Sequence, residues 1–360
     1  MIEKVLNTLG FILVVGFSLL VGLTFFDVPL PSGVWVSVLV LVTAHFIAFS
    51  LHQRLLLYVF KRIVEAVFVL LVIASLTFLL LRIVPGGPFD QEKALPAEVM
   101  ANIEAKYQLD RPIYEQFFSY IGGLLRGDLG ESYKYLGRNV TDIVLDTFPI
   151  SFKLGIFALI LAYLIGIPLG VLAAAHHNSK WDVIAMLAAI SGVALPSFLV
   201  APILILIFAI YLHWLPAALW NGPSYYILPV ITLGVRPAAI IARLTRASVL
   251  DVIGSDYIRT ARAKGLGQGV VLFKHVLKNS LIPVLTFSGP LVAGVLSGSF
   301  IIEVIFAVPG MGKHLISSVT NRDYPLILGV TLVFSALLVL ANLIVDLLYS
   351  YFDPRIQLTK

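Results

Sequence analysis

Cysteine is absent from the chain, so no disulfide, thiolate nucleophile or cysteine-ligated metal can form. Charge is scarce too: Asp, Glu, Lys and Arg make up 12% of the 360 residues, against roughly 25% in a soluble globular domain. With 59% hydrophobic residues and a mean hydropathy of +0.98, most of the chain must meet lipid or other buried helices. The sequence is that of an all-α integral membrane protein. Catalytic signatures are missing as well. The nearest approach to a phosphate-binding loop, AVPGMGKHL, has Ala307 where glycine is needed and His314 where Ser or Thr is needed. Neither a His-Glu-x-x-His zinc pattern nor a Gly-x-Ser-x-Gly elbow occurs. No catalytic residue, metal ligand set or cofactor site is expected in this chain, and any ATP would be bound elsewhere.

Long apolar runs are what the sequence does contain. Residues 5–26 form 22 residues without a charge, enough to cross a hydrocarbon core of roughly 30 Å. A second run at 34–51 completes a hairpin, and further spans are expected at 63–84, 154–175, 187–212, 226–241, 282–302 and 324–345. That makes about eight transmembrane helices: an N-terminal hairpin in residues 1–55 and a core of six in residues 56–360. Pro168, Pro196, Pro202, Pro229, Pro237 and Pro290 fall inside the runs as potential breakers.

Charge placement gives the expected orientation. Region 85–149 carries six basic residues against ten acids, and 256–278 carries five against one. By the positive-inside rule the first is extracytoplasmic and the second cytoplasmic, with both termini cytoplasmic. The net charge of +5 therefore reads as topology and not as an affinity for nucleic acid. Asn139–Thr141 spells a glycosylation sequon, a pattern short enough to arise by chance. His176 and His177 read as a solvated turn. Acids inside the spans are too sparse for an ion-coupled secondary transporter, the rival reading. Arg236 is the deepest intramembrane charge and Glu303 sits at a span end; these two are the candidates along a translocation path.

The basic loop 250–281 contains GSDYIRTARAKGLG. Ser255 suits an N-cap, Asp256 places a negative charge on the first turn, and Arg262 and Lys264 place positive charges on the last. Gly265 fits the left-handed residue beyond the C-terminus. A short helix follows, with Tyr257, Ile258 and Ala261 on one face and Arg259 and Arg262 on another. Val270, Val271, Phe273, Val276 and Leu277 give a second helix an apolar face.

The order Arg259, Thr260, Ala261, then three residues, then Gly265 resembles the EAA loop of permease subunits of binding-protein-dependent ABC importers, in the RTARAKGL form of the dipeptide, oligopeptide and nickel branch. LLRIVPGGPFD, HWLPAALWNG, IEVIFAVPGMG, NRDYPLILG and IVDLLYSYFDPRI resemble the B-type transmembrane subunit of oligopeptide importers. Residues 1–55 lie outside the resemblance. It implies that Asp256, Tyr257, Arg259, Thr260, Ala261, Arg262, Lys264 and Gly265 form a coupling helix for an ATPase subunit. It further implies a second homologous permease, two ATP-binding subunits and an extracytoplasmic peptide-binding protein that 85–149, 215–224 and 309–324 would face. The expected cargo is an oligopeptide, with dipeptides or metal chelates as alternatives, and the expected location is the cytoplasmic (inner) membrane.

Overall fold

The computed structural model describes residues 55–89 and 96–352. The expected hairpin at 5–26 and 34–51 lies outside these residues. Val69–Phe352 forms one compact unit, and residues 55–68 belong to another.

Among the described residues, five helices are long and apolar enough to span a bilayer: α1 (Leu55–Ile83), α4 (Val140–Ala175), α7 (Pro223–Ile253), α10 (Ile282–Ile305) and α12 (Tyr324–Phe352). The run expected as a sixth single span at 187–212 is broken. It consists of α5 (Lys180–Ala194) and α6 (Ser197–Leu204), the latter continuing through π-helical turns at Ile205–Tyr211. The two halves meet at 107°. Leu195 is extended there (φ −80°, ψ 121°) because the ring of Pro196 excludes helical backbone from the residue before it. Pro168, Pro229, Pro237 and Pro290 lie inside continuous helices instead. In a membrane bundle, neighbouring helices can satisfy the backbone groups that a proline frees.

The shorter elements are α2 (Ala97–Lys106), α3 (Ile113–Leu124), α8 (Asp256–Ala263) and α11 (Met311–Asn321). A further helical run, α9, covers 268–280 and contains π turns at Val271–Val276. Among the described residues the only β-pairing is an isolated bridge between Glu131 and Asn139.

The most extensive helix pair is α4 with α7, and small residues explain it. Gly166 and Gly170 of α4 meet Ala238, Ile241, Ala242 and Thr245 of α7 so closely that a Cβ at Gly166 would lie 2.7 Å from the Ala238 carbonyl oxygen. Without a hydrophobic drive between helices in lipid, such backbone approach is what holds a membrane pair together. Leu154, Ala158, Ala162, Leu233, Ile241, Val295 and Ile302 complete the central core around this seam.

Candidate coupling helix and its opposite end

α8 grows directly out of α7 through Gly254 and Ser255. Ser255 stands at the N-cap with extended backbone (φ −73°, ψ 152°), yet its side chain does not cap the helix. Its hydroxyl instead turns back to donate to the Val252 carbonyl at 2.6 Å, an acceptor it shares with its own backbone N–H at 3.1 Å. The expected glycine exit is present: Gly265 has φ +74° and its N–H donates to the Arg262 carbonyl at 2.9 Å. No atom lies within 4 Å of where its Cβ would be, so conformation and not space selects glycine.

One face of α8 anchors it. Ile258 and Ala261 are buried in a cluster with Ala174 of α4, Val249 of α7, and Val271 and Val276 of α9. Full burial of Ile258 contributes about 1.5–3 kcal/mol. Tyr257, expected on the same face, is 44% exposed; the turn angle carries its ring to the edge, where its hydroxyl accepts from Asn279 Nδ2 at 2.8 Å. The apolar face expected of the second helix also divides: Val271 and Val276 are buried, whereas Val270 and Phe273 are exposed. The widened π turns displace side chains from 3.6-residue spacing. Asp256, Arg259, Thr260, Arg262 and Lys264 all lie on the open side. Arg259 pairs only loosely with Asp256, at 3.6 Å between two exposed side chains, which adds little stability. The result is a rigidly mounted helix that presents unspent positive charge.

A polar joint lies next to this cluster. Arg246 of α7 holds Asp182 of α5 in a two-pronged pair, Nε to Oδ1 at 2.6 Å and a second guanidinium nitrogen to Oδ2 at 2.7 Å. His177 Nδ1 lies 3.4 Å from the same carboxylate, so this histidine, in an exposed turn as expected, also joins the network. Sequence reasoning passed over Asp182, although Ser179-x-x-Asp182 has a capping-box spacing with Asp in the acidic position, and Ser179 Oγ does accept from the Asp182 N–H at 3.4 Å.

The other end of the bundle is built differently. Glu303, expected along a translocation path, is fully buried. Its Oε2 accepts from the Gly312 N–H at 2.7 Å, and Ser151 Oγ accepts from the Met311 N–H at 2.8 Å. Gly310, at the N-cap of α11, has no side chain to offer, so α4 and α10 supply the cap from outside. A Cβ at Gly310 would collide with both capping groups. At the far end of α11, Arg322 takes the left-handed conformation (φ 55°), followed by buried Asp323. Asp323 Oδ2 accepts from Ser132 Oγ at 2.5 Å, and its Oδ1 accepts from the N–H groups of Tyr133 at 3.1 Å and Leu326 at 3.4 Å. It thereby caps α12 and ties down a segment 190 residues earlier in the chain. Asn139 caps α4 by accepting from the Thr141 N–H at 2.8 Å, which gives the residue of the sequon a structural role.

Arg236, the other expected path residue, lies on the open side of α7, and it has no hydrogen-bond or ion-pair partner among the described residues. Arg243 lies two turns further along, also open.

These features define, among the described residues, a helical, multi-span membrane protein. The comparisons with known proteins agree. The family described as "Binding-protein-dependent transport system inner membrane component" matches residues 166–358, and its N-terminal counterpart matches 55–155. The chain belongs to this family: it is a multi-pass inner-membrane transport component and not a member of a catalytic family. It is 47% identical over 305 residues to the oligopeptide transport system permease protein OppB of Haemophilus influenzae, a match that covers 84% of this chain and all of that one. The OppB protein of Escherichia coli K12 is 46% identical with the same coverage. A dipeptide transport system permease, DppB of Bacillus subtilis, is 45% identical over 303 residues, 84% of this chain and 98% of that one. Among solved structures, the inward-facing MetNI methionine ABC transporter matches with a TM-score of 0.51 at 16% identity, over 59% of this chain and 96% of that one. That likeness concerns the fold.

Proposed function

We propose that this chain is a permease subunit of an ATP-driven importer of oligopeptides across the cytoplasmic membrane. In this reading it pairs with a second, homologous permease to enclose the path, binds two ATP-binding subunits, and receives peptide from an extracytoplasmic binding protein. The observation that carries it is end-to-end similarity to the OppB relatives: 46–47% identity over their full length. Residues 85–149 are extracytoplasmic, 250–281 and both termini are cytoplasmic, and residues 1–55 add a hairpin to a core of six spans.

α8 is the element that couples to an ATPase subunit. Ile258 and Ala261 fasten it to α4, α7 and α9, so a push on its exposed Asp256, Tyr257, Arg259, Thr260, Arg262 and Lys264 reaches three helices at once. Gly265 fixes the exit direction. Arg236, unpaired on α7, faces the path or the second permease. Glu303 serves the path indirectly, as the residue that positions α11. The near-equal identity to a dipeptide permease supports dipeptides as the second reading for the cargo.

Uptake of a labelled oligopeptide by cells lacking and then regaining this chain tests the proposal. Uptake should return with the chain, require the partner ATPase, and persist when the proton gradient is collapsed. Uptake driven by a proton gradient without the ATPase would overturn the reading, and uptake confined to dipeptides would select the second one.

A further inference from the structure

α3 and the Leu125 that caps it carry an apolar stripe that is largely uncovered, with Ile121 partly buried within it. Tyr114, Phe118, Ile121 and Leu125 recur at i, i+4, i+7 and i+11, the spacing of one helix face. Tyr114 is 63%, Phe118 69% and Leu125 81% exposed. The adjoining face is used within the protein: Phe117 packs edge-on against Phe78 of α1 at 5.4 Å between ring centroids, Tyr120 stacks on the same ring at 6.0 Å, and Gln116 bonds Arg82. All these contacts fall on the last turns of α1, where its apolar run ends at Arg82. α3 therefore meets α1 at the rim of the hydrocarbon core. At 12 residues it is about 18 Å long and cannot cross the membrane itself.

What covers the stripe follows from its surroundings. Leu79, Leu80 and Ile83 on the same end of α1 are also exposed, and α1 is the least covered of the five spans, so the stripe continues a lipid-facing surface. Arg111 and Arg126 flank α3, both exposed and without an ion-pair partner among the described residues, placed to meet lipid phosphates at the two ends. Aromatic rings beside apolar and cationic groups are the composition of a helix lying at the membrane–water boundary.

We propose that α3 lies along the membrane surface with Tyr114, Phe118, Ile121 and Leu125 in the headgroup–acyl boundary, so that the segment around it is moored to lipid as well as to α1. The absence of cysteine makes the test direct. Single variants Phe118→Cys, Leu125→Cys, Glu115→Cys and Ser119→Cys carry a nitroxide label in full-length protein within inner-membrane vesicles, and relaxation by oxygen is compared with relaxation by a water-soluble nickel chelate. The ratio of oxygen to nickel accessibility should be several-fold higher at 118 and 125 than at 115 and 119. High nickel accessibility at all four positions would overturn the proposal. So would shielding of 118 and 125 from both reagents, which would mean that a protein partner covers the stripe. All four sites are exposed, so the labels leave folding intact.

Discussion

The two ends of this helical bundle handle charge in opposite ways. Around α8, basic side chains stand in the open and burial of Ile258 and Ala261 does the anchoring. Around α11, the carboxylates of Glu303 and Asp323 are buried, and each takes up backbone N–H groups that would otherwise be orphaned. An exposed charge is available to another molecule and adds little to stability. A buried, hydrogen-bonded one is spent on holding the fold, and its loss exposes the full cost of the unsatisfied partner. One end therefore leaves its charge open to another molecule, and the other uses its charge to hold its shape.

Substitutions at the two ends should separate these roles. Glu303→Ala removes the cap of α11 and leaves the Gly312 N–H buried without an acceptor, which should cost roughly 3 kcal/mol and depress the thermal unfolding midpoint in detergent. Glu303→Gln keeps an acceptor oxygen and should recover much of the loss; equal damage from both would mean that the carboxylate does something other than cap. Gly265→Val forces a β-branched residue into a left-handed conformation at about 1–2 kcal/mol. Because nothing crowds that position, the protein should still assemble in the membrane while ATP-driven uptake falls steeply, measured as transport per assembled complex.

Arg262→Glu should change stability by less than about 0.5 kcal/mol but weaken recovery of the ATPase subunit in a pull-down, more so at low salt, where electrostatic attraction is least screened. Retention of the ATPase at every salt concentration would remove the charge from the account. The smallest effect concerns Asp128, a partly open carboxylate of the α11 end of the molecule. It accepts from Asn139 Nδ2 at 2.8 Å and from the Gly130 N–H at 2.9 Å, and these bonds hold it below the usual carboxylate range. Its folded pKa is depressed, so its stabilisation is complete above the unfolded value near 3.9 and is lost as pH falls through the folded value. Asp128→Asn should therefore lower the unfolding midpoint slightly at neutral pH, with the difference vanishing in acid.

The parts of the molecule that sequence made legible are those governed by local rules. Long uncharged runs marked α1, α4, α7, α10 and α12, and Asp256 with Gly265 bounded α8, because span length and helix exits depend on neighbours in the chain. The 107° break at Pro196 was harder to foresee, since five other prolines of the same runs do not bring their helices to a comparable bend. What decides between kink and break is the packing around each ring, which a run of apolar letters does not encode. Glu303 was legible as a charge at a span end, but its role as a cap was not. Its partner is the backbone of a glycine nine positions on, brought back by the turn at Ala307, where φ is +51°. Asp323 carried a usable signal, an N-cap position before the apolar run of α12, but its bond to Ser132 spans 191 residues and no local rule reaches that far. The pairing of Asp182 with Arg246, across 64 positions, was hidden for the same reason.

The central claim is that the exposed side of α8 is gripped by the ATPase. With no native cysteine, a single Arg262→Cys variant carrying a short photoactivatable crosslinker reports its neighbour directly in inner-membrane vesicles. The account predicts a covalent product with the ATP-binding subunit whose yield changes when ATP is added. A variant that crosslinks only to lipid or to the other permease, in vesicles that still transport peptide, would contradict it.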